Sequence, residues 1–250
     1  MNKNQIINSI FYPRKSNIPQ DSNDQLIETN DGNQVGVRYF LKSKNLPNII
    51  FFHGNAELAQ EYNDIGSFYN QFDMNFIVCD YRGYGLSTGN PSKENLLLDA
   101  IKVFEHINVF LKSNQYSSKT IVMGRSLGSA SACEIINKCE ENIDACIIES
   151  GFATEYPLLQ LLQIDPENID YKIEDGFMNL SKIKKFKKPL FIIHADLDDI
   201  IPFSQAEIML LESKSSNKDL FKVSGANHNN IILISREEYF KKIRNFIKKI

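Results

Sequence analysis

Five short stretches of the chain, residues 48–52, 76–79, 120–123, 145–148 and 190–193, are apolar almost throughout. Continuous rather than alternating apolarity predicts strands buried on both faces. A further strand is expected at 219–223. Near the start, residues 25–29 and 34–41 flank Asn30-Asp31-Gly32-Asn33, and Asp-Gly between two such runs predicts a hairpin. Helical periodicity fills the gaps at 57–71, 92–113, 127–139, 203–213 and 235–249. The last of these carries an apolar stripe of Tyr239, Phe240, Ile243, Phe246, Ile247 and Ile250, with Ser235 and Glu238 as an expected capping box. Strands alternating with helices predict an α/β fold: a mostly parallel sheet of about eight strands with helices on both faces. Residues 1–24, with Pro13 and Pro19, are read as an irregular lead-in packed through Ile10, Phe11 and Tyr12. Residues 25–250 are read as a single domain without internal repeats.

Composition narrows the function classes. With 250 residues, 42% hydrophobic and 24% charged, the chain is long enough and ordinary enough to bury its own core. A net charge of −3 leaves no basic field to hold nucleic acid, so no nucleic-acid partner is expected. No run of 18 apolar residues exists, and no membrane span is expected. The polar N-terminus lacks a signal-peptide core, Asn2 stands where myristoylation needs glycine, and no prenylation cysteine ends the chain. Cys79, Cys133, Cys139 and Cys146 lack zinc or redox spacing and are expected as buried, reduced thiols, which points to the cytoplasm. The basic run at 182–188 is read as a solvated approach to a strand, with peripheral contact to anionic lipid as the alternative.

In open α/β sheets ligands bind beyond the carboxyl ends of the strands, and there the polar residues gather. Residues 120–123 lead into Gly124-Arg125-Ser126-Leu127-Gly128, followed by a helical pattern with small residues in its first turn. Gly-x-Ser-x-Gly between strand and helix is the nucleophile elbow, which makes Ser126 the expected nucleophile. The other members should follow in the order acid, then histidine. Of the four histidines only His194 and His228 come later. His194 continues a strand and is expected to pack or hydrogen-bond there, whereas His228 sits in a polar loop before the last helix and is the better base. The acid lies among Asp196, Asp198 and Asp199, which crowd one turn. The oxyanion hole needs two main-chain N–H groups: that of Leu127, and one from the loop after residues 48–52, Asn55 ahead of Ala56.

These residues resemble the α/β-hydrolase-domain serine hydrolases, in the branch of protein depalmitoylase-like enzymes. The matching pieces are His53-Gly54-Asn55-Ala56, Asp80-Tyr81-Arg82-Gly83-Tyr84-Gly85-Leu86-Ser87, Gly124 to Ser129, His194 to Pro202 and Gly225-Ala226-Asn227-His228. The resemblance covers residues 25–250 and implies the α/β-hydrolase fold. It places the family's acid on Asp198, with Ala195 and Ile201 replacing the usual Gly and Val. It implies that Asp80 and Arg82 organise their loop, and it leaves Arg125 in a variable slot, read as a pairing residue with substrate contact as the alternative. Unlike the animal depalmitoylases, this chain has no cysteine before Cys79, so recruitment by a lipidated cysteine cluster is not expected. The short segment at about 152–182 implies a minimal lid. Its Phe152, Tyr156, Leu158, Leu159, Leu161 and Leu162 are candidates, with Ala56, to line an acyl-binding groove, or else they pack against the sheet.

The expected activity is hydrolysis of a carboxylic ester or thioester of a small-molecule or acyl-protein substrate, through Ser126, His228 and Asp198 and an acyl-enzyme. No metal or organic cofactor is required. A peptidase or amidase would use the same groups, and a hydrolase fold kept for binding inside a larger assembly is the rival from another class.

Overall fold

The structure, a computed structural model, describes residues 3–250; Asn2, considered above for myristoylation, lies outside the described residues. Eight strands form one sheet: β1 (Asp24–Glu28), β2 (Gln34–Phe40), β3 (Asn48–Phe52), β4 (Asn75–Cys79), β5 (Thr120–Arg125), β6 (Ala145–Glu149), β7 (Leu190–Ala195) and β8 (Lys218–Val223). Their order is β1-β2-β4-β3-β5-β6-β7-β8. The β1–β2 and β2–β4 pairs are antiparallel, and every later pair is parallel. The Thr29–Asn33 turn joins β1 to β2 with Gly32 at φ +80°, where glycine carries no steric penalty.

The helices are α1 (Lys3–Asn8), α2 (Asn63–Gln71), α3 (Lys93–Ser113), α4 (Gly128–Lys138), α5 (Tyr156–Leu161), α6 (Asn179–Ile183), α7 (Ser204–Glu212), α8 (Ile231–Ser235) and α9 (Glu237–Lys248). Successive strand residues point to opposite faces, and each face has its own apolar layer. Ile50, Phe52, Val122 and Ile148 pack with Leu96, Val103, Phe104 and Ile107 of α3 and with Ala130 and Cys133 of α4. Ile49, Phe51, Met123 and Ile147 pack with Tyr69 of α2 and Tyr239, Phe240 and Ile243 of α9. Burial on both sides is why these strands are apolar at every position.

Three local expectations are revised. The stretch read as irregular contains α1, which buries Ile6 and Ile7. The 57–71 helix divides into a 3₁₀ turn, Ala59–Tyr62, and α2. The 235–249 helix is broken at Arg236, which has φ +50°. Ser235 therefore ends α8, where its hydroxyl bonds Ile231 O at 2.6 Å, and forms no capping box with Glu238. By contrast, Ser92 caps α3 by accepting from Asn95 N at 3.1 Å. No helix among the described residues is long and apolar enough to cross a membrane. All four cysteines are free and buried.

Candidate active site

Strand β5 ends at Arg125 and α4 begins at Gly128, so two residues must turn strand into helix. Ser126 takes φ +50° to do so, a backbone state that costs serine about 1 kcal/mol or more. The turn also needs two close approaches. A Cβ on Gly124 would overlap the Gly128 main chain, and a Cβ on Gly128 would overlap the Phe52 carbonyl. Both positions therefore demand glycine. The strained serine is fixed on either side: its N–H donates to Glu149 O at 2.9 Å, and its carbonyl accepts from Ser129 N at 3.0 Å and Ser129 Oγ at 2.6 Å.

The loop after β8 brings His228 to this serine, with Nε2 3.1 Å from Ser126 Oγ. On the other side of the ring, Nδ1 lies 2.8 Å from Asp198 Oδ2 and 3.0 Å from Oδ1. A proton on Nδ1, donated to the carboxylate, leaves Nε2 free to accept from the serine hydroxyl. Asp198 is itself pinned after β7, accepting from Ile200 N at 3.0 Å and Ile201 N at 2.7 Å. Burial alone would raise its carboxyl, but the His228 hydrogen bond and charge and the Ile201 N–H outweigh it and hold the group below its ordinary value. Of the three crowded aspartates, Asp196 instead accepts from Gly225 N at 2.7 Å, and Asp199 is exposed. His194 is buried in the strand, donating Nε2–H to Ile201 O at 2.8 Å, and burial pushes its pKa below the usual value.

Asn55 and Leu127 both border the cavity in front of Ser126. Among the described residues, no protein acceptor takes the main-chain N–H of either, whereas that of Ala56 meets the Asn55 side-chain oxygen at 3.0 Å. The Asn55 side chain also receives Tyr12 N at 3.0 Å and Tyr84 Oη at 2.6 Å, and donates to Ile10 O at 2.5 Å. The loop is thus strapped to the N-terminal segment.

The cavity measures about 320 Å³ and is lined by Ile10, Tyr12, Ala56, Leu158, Leu161, Leu162 and Ile200 around Ser126 and His228. Of the candidate groove residues, Ala56, Leu158, Leu161 and Leu162 border this cavity. Phe152 does not: it is fully buried against Phe177. Tyr156 turns to Tyr171, and Leu159 packs with Ile6 and Tyr171; none of the three lines the cavity. Helix α5 turns Leu158 and Leu161 toward the opening and Tyr156 and Leu159 away from it, while Phe152 lies before the helix. Ile10 and Tyr12, flagged above only as packing residues, are the wall that the sequence did not announce.

The outer motifs serve the frame. Asp80 accepts from Ala59 N at 2.9 Å and meets His53 Nε2 at 3.0 Å. Arg82 joins Asp99 of α3 at 2.6 and 2.8 Å to Asp31 of the hairpin at 2.6 Å.

A sequence family described as "Serine aminopeptidase, S33" matches residues 43–163, which include β3, the elbow and α4. The chain has the α/β-hydrolase fold and is similar in sequence to α/β-hydrolase-domain proteins. It is an esterase-like serine hydrolase. Among curated proteins, the hydrolase is 28% identical over 206 residues to protein bem46 of Schizosaccharomyces pombe, covering 80% of this chain and 67% of that one. It is 26% identical over 230 residues to human alpha/beta hydrolase domain-containing protein 17B, covering 90% and 74%. Among solved structures, a Pyrococcus furiosus esterase superposes with a TM-score of 0.77 at 18% identity, covering 95% of this chain and 98% of that one.

Proposed function

We propose that this hydrolase cleaves carboxylic esters or thioesters with an apolar acyl group, by way of a serine acyl-enzyme. The observation that carries this reading is the unbroken line from Asp198 through His228 to Ser126 Oγ, opening into an apolar cavity. His228 Nε2 takes the hydroxyl proton as Oγ attacks the carbonyl carbon. The oxyanion that forms is met by the N–H groups of Leu127 and Asn55 at the start of α4 and after β3. Collapse returns the proton from His228 to the leaving alcohol or thiol. Water, deprotonated by the same imidazole, then releases the acid and regenerates Ser126. Asp198 keeps the ring in the correct tautomer and stabilises the imidazolium without taking the proton.

Ester or thioester cleavage is favoured over aminopeptidase action by the lining of the cavity. An aminopeptidase must hold a free α-ammonium, and among the described residues bordering the cavity none is Asp or Glu. Leu158, Leu161 and Leu162 suit an acyl chain instead, whether carried by a small molecule or by a protein.

The test is a fluorophosphonate probe followed by a series of p-nitrophenyl esters, acyl thioesters and amino-acid p-nitroanilides. Labelling of wild type, none of Ser126→Ala, and turnover confined to the acyl series are expected. Folded wild type that resists the probe, or turns over the anilides best, overturns the reading.

A further inference from the structure

Arg125 stands between the glycine and the serine of the elbow, in a position whose identity the turn itself does not dictate. Its guanidinium, largely shielded with 12% of the side chain exposed, divides its donors among three elements. One terminal nitrogen bonds Glu57. The other donates to His228 O at 2.8 Å and Asn229 Oδ1 at 3.2 Å. Nε lies 3.4 Å from Glu149 Oε1 at the end of β6. Glu57 passes the connection on, because its other oxygen accepts from Gly54 N at 2.8 Å and Tyr62 Oη at 2.5 Å. Gly54 precedes Asn55, and a Cβ there would collide with both Arg125 and Glu57. Burial favours the neutral Glu57, but the Arg125 charge together with the other lowering contacts, including the Tyr62 and Gly54 hydrogen bonds, outweighs it and leaves the carboxyl below its ordinary value.

We propose that Arg125 is a positioning residue that locks the His228 loop and the Asn55 loop to the nucleophile strand, so that base, oxyanion donor and serine hold one mutual geometry. The inference rests on the hydrolase reading above. A planar fork with separate donors can reach Glu57 and the His228 carbonyl together, which a single ammonium cannot. The contacts also fall next to the reacting groups and not at random in the core: Arg125 adjoins Ser126, bonds the carbonyl of His228 itself, and reaches through Glu57 to the residue before Asn55. Misplacement of such groups by about 1 Å is enough to cost on the order of 10²-fold in rate. Arg125 also forms part of the wall between the acyl cavity and a neighbouring one of about 270 Å³ bordered by Glu57, Glu61 and Glu149. Substrate contact is therefore the rival role, and it would appear in KM.

The experiment compares Arg125→Met, Arg125→Lys and Glu57→Gln with wild type on the best ester, together with hydrogen exchange of the intact chain. Arg125→Met is expected to lower kcat about 10²-fold with KM changed less than threefold. Arg125→Lys should recover about tenfold of that loss, and Glu57→Gln should fall about tenfold below wild type. Amides of residues 226–230 and 54–57 should exchange faster in Arg125→Met. A kcat within twofold of wild type, a change confined to KM, or unchanged exchange in both loops overturns the proposal. Should Arg125→Met fail to fold, Arg125→Lys and Glu57→Gln carry the same comparison. If wild type neither turns over nor reacts with fluorophosphonate, the hydrolase reading fails, and the exchange measurement still decides whether Arg125 fixes the loops.

Discussion

Ser126 Oγ and His228 Nε2 lie 3.1 Å apart although 102 residues separate them in the chain. Strand β5 delivers the first and the loop after β8 the second, with β6 and β7 between them in the sheet. The contact is therefore a product of the whole parallel half of the sheet.

Asp198→Asn should leave the fold intact and lower kcat by about 10³–10⁴-fold, because the amide favours the wrong imidazole tautomer. Stopped-flow or burst kinetics with an activated ester measures this. Asp196→Asn should stay within a few-fold of wild type, since Asp196 only receives the Gly225 N–H. The reverse ranking would remove Asp198 from the mechanism.

Two buried carboxyls give opposite pH signatures in stability. Asp198 is held below its ordinary value of 3.8, so its contribution is complete above that pH and is lost as pH falls through the folded value. Glu149 is raised above 4.5, chiefly by burial. Its ionisation is disfavoured in the fold, and stability declines as pH rises from 4.5 through the folded value. Urea midpoints of Glu149→Gln should lack that decline, whose slope is at most about 1.4 kcal/mol per pH unit.

Gly128→Ala should disable the elbow by pushing α4 away from the Phe52 carbonyl. A loss of about 1–3 kcal/mol is expected from overpacking, with probe labelling slowed far more than the lost stability explains. Thermal melting and labelling rate, measured side by side, separate the two.

Leu162→Phe should shorten the acyl cavity. Each methylene excluded from apolar burial costs about 0.8 kcal/mol, about fourfold in kcat/KM, so the optimum of an ester series should move to shorter chains. Phe152→Leu, behind the cavity, should lower the melting temperature without moving that optimum. If Phe152→Leu shifts the optimum and Leu162→Phe does not, Leu162 is not part of the acyl cavity wall.

Asn55→Ala keeps the main-chain donor but releases Ile10, Tyr12 and Tyr84. A loss of kcat on the order of tenfold is expected, with the largest loss for long acyl chains, whose wall Ile10 and Tyr12 provide. Equal loss for acetyl and longer esters would separate the strap from the cavity.

The strands could be read from the sequence because burial on both faces leaves no polar position to blur them, as in Ile49 to Phe52. Ser126 could be read because its glycines answer local collisions with Gly128 and Phe52. The break at Arg236 could not, because Ser235-Arg236-Glu237-Glu238 carries no glycine or proline to mark a turn, although Arg236 takes a positive φ there. Spacing alone left three aspartates open, since what distinguishes Asp198 is an imidazole 30 residues away. Phe152 lies before α5 and packs against Phe177; apolarity alone does not say whether a residue after a strand joins the core or a cavity wall. The roles of Ile10 and Tyr12 depend on partners 43 to 72 residues distant, beyond any local pattern.

The N-terminal strap has a consequence for how the molecule forms. Ile10 and Tyr12 precede Asn55 and Tyr84 along the chain, yet they have nothing to bind until β3 and β4 have paired in the sheet. The wall of the cavity is accordingly a late event in folding, and a chain with a finished sheet but an undocked strap would hold Ser126 and His228 in register while lacking one side of the acyl pocket. Catalytic competence and acyl selectivity would then appear at different times during refolding.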